Sequence, residues 1–258
     1  MIKTVDFHVS ELETMKVYPS KLFYLGNVAL LHQKKVSIVG TRHPISYAKM
    51  LTQTLARALA DHGICVVSGG AQGIDECAHK GAGASRTIMV SGTGLDVRYP
   101  ALNARLIETI EQEGLVLSQF EAGSPSLKWN FPMRNELIVA LGDVLIVAQA
   151  DRKSGTMHSI EYALKMRKPI FVFPHRLGES EATNDLLKQG LATPLYDIDA
   201  FVAGVAPQKT IVKENDPFLE YCDTYPLYHE AVEKFAHLVF EYECLGKIKV
   251  ENGRISRT

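Results

Sequence analysis

"ICVVSGGAQGIDECAHKGA", residues 64–82, decides the fold. Its opening residues are apolar without alternation, the pattern of a strand buried on both faces. Gly69 and Gly70 follow that run, and Gly73 comes three residues later, where a helical pattern opens at Ile74. A glycine-rich loop between strand and helix sets backbone amides at a helix N-terminus, where a phosphate binds readily. Such a loop serves a dinucleotide, a triphosphate or a nucleic-acid backbone. The rest of the chain has to decide which.

The same unit recurs on both sides. Upstream, "VSIVGT" (36–41) reads as a buried strand and "SYAKMLTQTLARALADHG" (46–63) as a helix closed by Gly63. Downstream, the strand patterns are "TIMVSG" (87–92), "LVLSQF" (115–120), "DVLIVAQ" (143–149) and "PIFVFP" (169–174). Between and after them run the helical patterns "ALNARLIETIEQEG" (101–114), "FPMRNELIVALG" (131–142), "GTMHSIEYALKMRK" (155–168) and the short "TNDLLKQGLA" (183–192). This alternation implies an α/β, extended Rossmann-like fold: a mainly parallel sheet with helices on both faces. Residues 1–35 read as a short N-terminal extension and 36–208 as the Rossmann-like domain. From 209 to 258 no further βα unit follows. "HEAVEKFAHLVFEYECLG" is helical there, and "KIKVENGRISRT" alternates around Asn252-Gly253, a hairpin signal. Helices closed by a hairpin suggest a small winged-helix-like module. It is acidic over 214–243 and reads as an interaction or stabilising piece, since "FAHLVFEYECLG" is no basic recognition helix.

The 258 residues carry a formal net charge of −1, so nucleic-acid contact has to use a local patch. Cys65, Cys77, Cys222 and Cys244 form no C-x-x-C pair and fit no zinc spacing; reduced thiols and no bound metal are expected. "MIKTVDFHVSELE" lacks the apolar core of a signal peptide, and no apolar run has the length of a membrane span. A soluble, cytoplasmic protein is expected.

Three phosphate readings can be tested by spacing. The dinucleotide fingerprint G-x-G-x-x-G fails at one position each time: Ser68 replaces the first glycine in one alignment, Val97 the third in another. No G-x-x-x-x-G-K-[ST] occurs, which removes a P-loop ATPase. The alternative reading is a Rossmann-like nucleotide-binding or nucleotide-hydrolysing enzyme of the lysine-decarboxylase-like type, with its P-G-G-x-G-T-x-x-E loop. "KSGTMHS" (153–159) matches it at Gly155 and Thr156 but has Ser159 in place of the glutamate. What remains is a phosphate cradle without catalytic equipment, and neither a cofactor nor a reaction is expected. Gly69, Gly70 and Ala71 form one candidate anion nest; Ser154, Gly155 and Thr156 form another. Arg42, Lys128, Trp129, Phe131, Arg134 and Lys153 lie on neighbouring loops. Cations that track a backbone, interleaved with rings that stack bases at roughly 1–3 kcal/mol each, are how a single strand is gripped.

In order along the chain, "VSIVGTR", "VVSGGAQGIDECAH", "GTGLDVRYP", "FPMRNELIVAL", "KSGTMHS", "RKPIFVFP" and "ATNDLLKQGLA" resemble the DNA-processing protein A (DprA, Smf) family. The resemblance covers about residues 18–196. It implies an extended Rossmann domain that binds single-stranded DNA, protects incoming DNA in natural transformation and helps load the recombinase RecA. It also implies a homodimer with no established cofactor or reaction, and a C-terminal winged-helix-like module in many members. The chain departs from the family pattern in its short N-terminal part, at Glu136, where a second arginine is common, and at Gln149, where a negative group is common.

Each candidate has a bland reading beside the functional one. Arg42 is a phosphate contact or a surface loop residue. Lys128 and Phe131 pair a backbone cation with a stacking ring, or form a solvated loop and a hydrophobic staple. Arg134 and Asn135 open a helix, where a cation opposes the dipole; an anion or a buried carboxylate such as Asp75 would justify it. Gly69, Gly70 and Gly73 also suit a tight turn whatever the ligand. Tyr47 reads as core, and His79 and His158 as packed or solvated. Leu186, Leu187 and Leu191 form one apolar face, which either packs on the sheet or, as the resemblance suggests, makes the dimer contact.

Overall fold

The computed structural model describes residues 1–206 and 216–257. Two compact units divide the chain, Met1–Pro207 and Gln208–Thr258.

The first unit is built on one sheet. Its elements in chain order are β1 (Lys3–Thr4), β2 (Phe23–Gly26), β3 (Lys35–Val39), α1 (Ser46–Asp61), β4 (Cys65–Ser68), α2 (Ile74–Ala82), β5 (Thr87–Val90) and α3 (Ala104–Glu113). There follow β6 (Leu115–Ser118), α4 (Asn130–Leu141), β7 (Leu145–Val147), α5 (Thr156–Lys165), β8 (Ile170–Val172), α6 (Glu181–Lys188), β9 (Thr193–Pro194) and α7 (Ile198–Val205). The strand order is β1-β2-β6-β5-β4-β3-β7-β8-β9. From β6 to β9 every pairing is parallel; β2 joins β6, and β1 joins β2, antiparallel. The central strands β3 to β7 are buried along their whole length, which is why their sequences are mainly apolar rather than alternating.

Helices cover both faces. On one, Leu55, Leu59 and Ile74 of α1 and α2 pack with Val36, Ile38, Val66 and Ile146. On the other, α4 places Leu137 to Leu141 against Val39, Val67 and Val147. That run is buried throughout, so the C-terminal half of α4 is apolar on every side. Residues 1–35, read from sequence as an extension, add two strands to the sheet edge, and Leu12, Leu22, Leu30 and Leu31 join the core beside α4. Tyr47 is corrected: it is 40% exposed, because it sits in the first turn of α1 above the sheet's edge.

After β3 the chain steps to β4, on one side; after β7 it steps to β8, on the other. The carboxyl ends of β3 and β7 therefore flank a topological switch point, where loops diverge and leave a crevice.

In the second unit, α8 (Pro217–Cys222) is followed by α9 (Tyr228–Cys244), β10 (Ile248–Glu251) and β11 (Arg254–Arg257). The backbone of α9 leaves the helical region at Ala236, so the described residues of the unit form three helical pieces and a hairpin, a winged-helix-like arrangement. Asn252 and Gly253 both take positive φ at the hairpin tip, as the Asn-Gly signal requires. Phe218, Ala231, Val239, Ile248 and Ile255 form its core. All four cysteines are free, with Cys244 exposed. Among the described residues no helix is long and apolar enough to cross a membrane.

Candidate functional site

A cavity of about 760 Å3 opens at the switch point. It is lined from the β3 loop by Gly40 to His43, from the start of α2 by Ala71 and Asp75, and from the loop before α4 by Ser126 and Lys128. Phe131, Arg134 and Asn135 of α4 and Ser154, Gly155, Thr156, His158 and Ser159 at α5 complete the wall.

The two candidate anion nests differ in one respect. At α2, the first turn carries its own acids, and Asp75 Oδ2 accepts the Ala71 amide at 3.3 Å. Gly69 and Gly70 do not reach the cavity. A side chain at Gly69 would land on the Arg134 guanidinium, and one at Gly70 on Met89; the glycines are there because other groups approach the backbone closely. The carbonyls of Gly69 and Gly70 accept from Arg134 and from Asn103 Nδ2. The glycines of the loop that decides the fold thus serve packing: Gly69 and Gly70 lie outside the cavity lining, whereas Ala71 belongs to it.

At α5 the opposite holds. Gly155 caps the helix without a side-chain bond, and no acid stands in the first turn. The Ser154, Met157 and His158 amides donate to the Asp151, Ser154 and Gly155 carbonyls, which leaves the Gly155 and Thr156 amides without an acceptor among the described residues, and the helix dipole favours an anion there. Ser154 Oγ and Ser159 Oγ beside them are buried and unpartnered among the described residues, and Ser159 is 1% exposed. Thr156 is buried on the same wall, while Lys153 is exposed and does not line the cavity.

Arg42 and Lys128 are exposed cations with no ion pair among the described residues. The loop that carries Lys128 is pinned by the buried Asn130, whose Nδ2 donates to Gly92 O at 3.0 Å and Pro125 O at 3.2 Å. Phe131 is half-buried. It rests on Gly92, lies 5.6 Å from the Tyr99 ring and has the Arg134 guanidinium 5.9 Å from its centroid. Trp129, the only tryptophan, is 65% exposed beside them, so it does not plug the core. Arg134 itself is buried, and its Nη1 donates to Val90 O at 2.7 Å and to Gly69 O. Burial lowers its pKa and raises that of Asp75, while each charge partly holds the other ionised.

Of the residues singled out in the sequence, Arg42, Ala71, Lys128, Phe131, Arg134, Asn135, Ser154, Gly155 and Thr156 meet at one cavity. His43, Tyr99, His158 and Ser159 line it too. Position was the available signal for these: each lies within a few residues of a strand's carboxyl end or a helix start. Leu186 is 6% exposed and belongs to the core cluster, with Leu187 packed against it; the short α6 uses that face on the sheet. Leu191 alone of the three is exposed.

Residues 3–206 match the family model described as DNA recombination-mediator protein A. The chain belongs to that family. DNA processing protein DprA of Streptococcus pneumoniae is 38% identical over 189 residues, covering 72% of this chain and 67% of its own length. Protein Smf of a Synechocystis strain is 39% identical over 172 residues, but the match spans only 43% of that relative. Among solved structures, DNA processing protein A of Helicobacter pylori, described for its single-stranded DNA binding mode, superposes with a TM-score of 0.78 at 43% identity. That match covers 80% of this chain and 95% of the other. DprA of Streptococcus pneumoniae superposes at 0.73 with 33% identity, over 79% and 73% of the two chains.

Proposed function

We propose that this protein binds single-stranded DNA in the switch-point cavity, protects incoming strands in natural transformation and hands them to a RecA-type recombinase. The observation that carries the reading is the open N-terminus of α5, faced by two unpaired cations and a supported aromatic ring. A backbone phosphate fits the amides and the serine hydroxyls, Arg42 and Lys128 neutralise its neighbours, and a base stacks at Phe131. The family and its DNA-binding Helicobacter relative support the same reading. We read the site as binding rather than catalytic. Asp75 is the one carboxylate among the described lining residues, and it is engaged by the Ala71 amide.

Anisotropy of labelled oligothymidine against duplex of equal length, over a salt series, tests this. Single strand is expected to bind more tightly. Its salt slope should become shallower by about 0.7 for each phosphate contact removed in Arg42→Ala or Lys128→Ala. A folded protein that binds no single strand at low salt refutes the proposal.

We also propose a homodimer through the sheet edge at β9 and the end of α6, where Leu191 is exposed beside Leu164. Two joined cavities would raise avidity on one strand. Leu191→Glu is expected to give a folded monomer with weaker binding; a mutant still dimeric by light scattering removes this edge from the interface.

A further inference from the structure

A second concavity lies at the same carboxyl edge of the sheet, beyond the switch point. It has a volume of about 220 Å3, with Phe173 and Leu195 as its buried floor and Tyr47 and Tyr196 on its rim. Parallel pairing of β8 with β9 brings the residues after each strand to one edge, so Pro174 and His175 stand beside Leu195 and Tyr196. Tyr47 comes from the other direction, four residues after His43, which lines the first cavity. The backbone between them is anchored: Ile45 N donates to Gln149 Oε1 at 3.0 Å, and Thr41 N to Gln149 O at 2.8 Å.

Tyr47 is braced by a neighbouring ring, and both tyrosines are open to solvent. The Tyr47 ring meets the His175 ring edge-on at 5.5 Å, and His175 Nε2 bonds Ala148 O at 2.8 Å. Tyr196 is 82% exposed and Tyr47 40% exposed, and neither hydroxyl has a hydrogen-bond partner among the described residues. Arg176, next to His175, is exposed and unpaired among the described residues. An apolar floor and two accessible rings suit one base, and Arg176, two residues beyond the lining Pro174, is a cation available to the adjoining phosphate. They suit a protein surface less well, because the concavity is small and its open rim is made by two tyrosine rings rather than a broad apolar patch.

We infer that Tyr47 and Tyr196 form a second base-stacking subsite, reached by a strand that leaves the switch-point cavity over Arg42 and His43. This rests on the single-strand reading above and extends it: the footprint runs from α5 across the ends of β3 and β7 to β8 and β9. The arrangement also assigns Tyr47, Tyr196 and Arg176 to strand length rather than to the first grip. The Tyr47–His175 contact sets the orientation of one of the two rings before the strand arrives.

The test uses the full chain and two oligothymidines, one short enough to fill the first cavity alone and one several nucleotides longer. Tyr47→Leu and Tyr196→Leu are each expected to weaken binding of the longer strand at least about fivefold, the lower end of base–aromatic stacking, and to leave the short strand unaffected. Tyr196→Phe is expected to bind like wild type, because the ring and not the hydroxyl stacks. A longer strand carrying 5-iodouracil is expected to cross-link to Tyr47 or Tyr196 under light, only at positions beyond those contacted in the first cavity. Leucine variants that bind the longer strand as wild type does, while Lys128→Ala weakens both strands, overturn the subsite and leave the first cavity standing. Leucine variants that change the oligomeric mass and not the affinity overturn it in favour of a contact between copies. Wild-type protein that binds neither strand overturns the single-strand reading itself.

Discussion

Arg134→Met is expected to destabilise the Rossmann-like unit by about 3–5 kcal/mol, the range for removing one member of a buried charged network. Arg134 is 5% exposed, and its Nη1 serves two buried carbonyls, Gly69 O at the end of β4's loop and Val90 O at the end of β5. Each carbonyl left unpaired costs roughly 1–3 kcal/mol. Asp75, also buried, loses the nearest positive charge that keeps its carboxylate ionised. Methionine replaces the volume of the stem but none of these bonds. Urea unfolding of wild type, Arg134→Met, Asp75→Asn and the double variant gives the coupling between the two groups. The double variant should recover part of the loss, because a neutral amide no longer needs the guanidinium. An Arg134→Met protein within about 0.5 kcal/mol of wild type would contradict the assignment, since that is the range of an ordinary surface change.

The same arginine explains why the sequence read well for the fold and less well for the site. The strands β3 to β7 were legible because burial on both faces leaves mainly apolar residues, with Ser37, Ser68, Thr87 and Ser118 among the hydrogen-bonded exceptions. Gly69 and Gly70 were legible as glycines the backbone needs, but not as glycines needed by Arg134 and Met89, which come from α4 and β5, far away in the chain. Choosing between the two nests required knowing which helix start already had an acceptor. Asp75 in the first turn of α2 was a usable signal for that, and α5 shows no such acid. Tyr47 looked like core because aromatic residues near a helix start commonly are. Its exposure follows from the sheet edge ending beneath it, a tertiary fact. Leu186, Leu187 and Leu191 share one apolar face in sequence, yet α6 ends at Lys188, so Leu191 falls after the helix and outside the core. The strand β2 was hidden because its partner β6 is antiparallel and about ninety residues away.

Between about pH 7 and pH 5, the Rossmann-like unit is expected to lose about 2 kcal/mol of stability through His79 alone. His79 lies in α2, 1% exposed, with Nδ1 on Thr87 Oγ1 at 2.7 Å and Nε2 buried without a partner among the described residues. Burial first, and the nearby Arg134 charge second, lower its pKa from 6.5 to about 3. The folded state therefore refuses a proton that the unfolded chain accepts. Stability is full above the unfolded value and falls as pH drops below 6.5, continuing until about 3, where the folded state also takes the proton. His79→Leu removes the titrating group, so its unfolding free energy should change less over the same interval, by about 2 kcal/mol. Equal slopes for the two proteins would assign the acid sensitivity elsewhere.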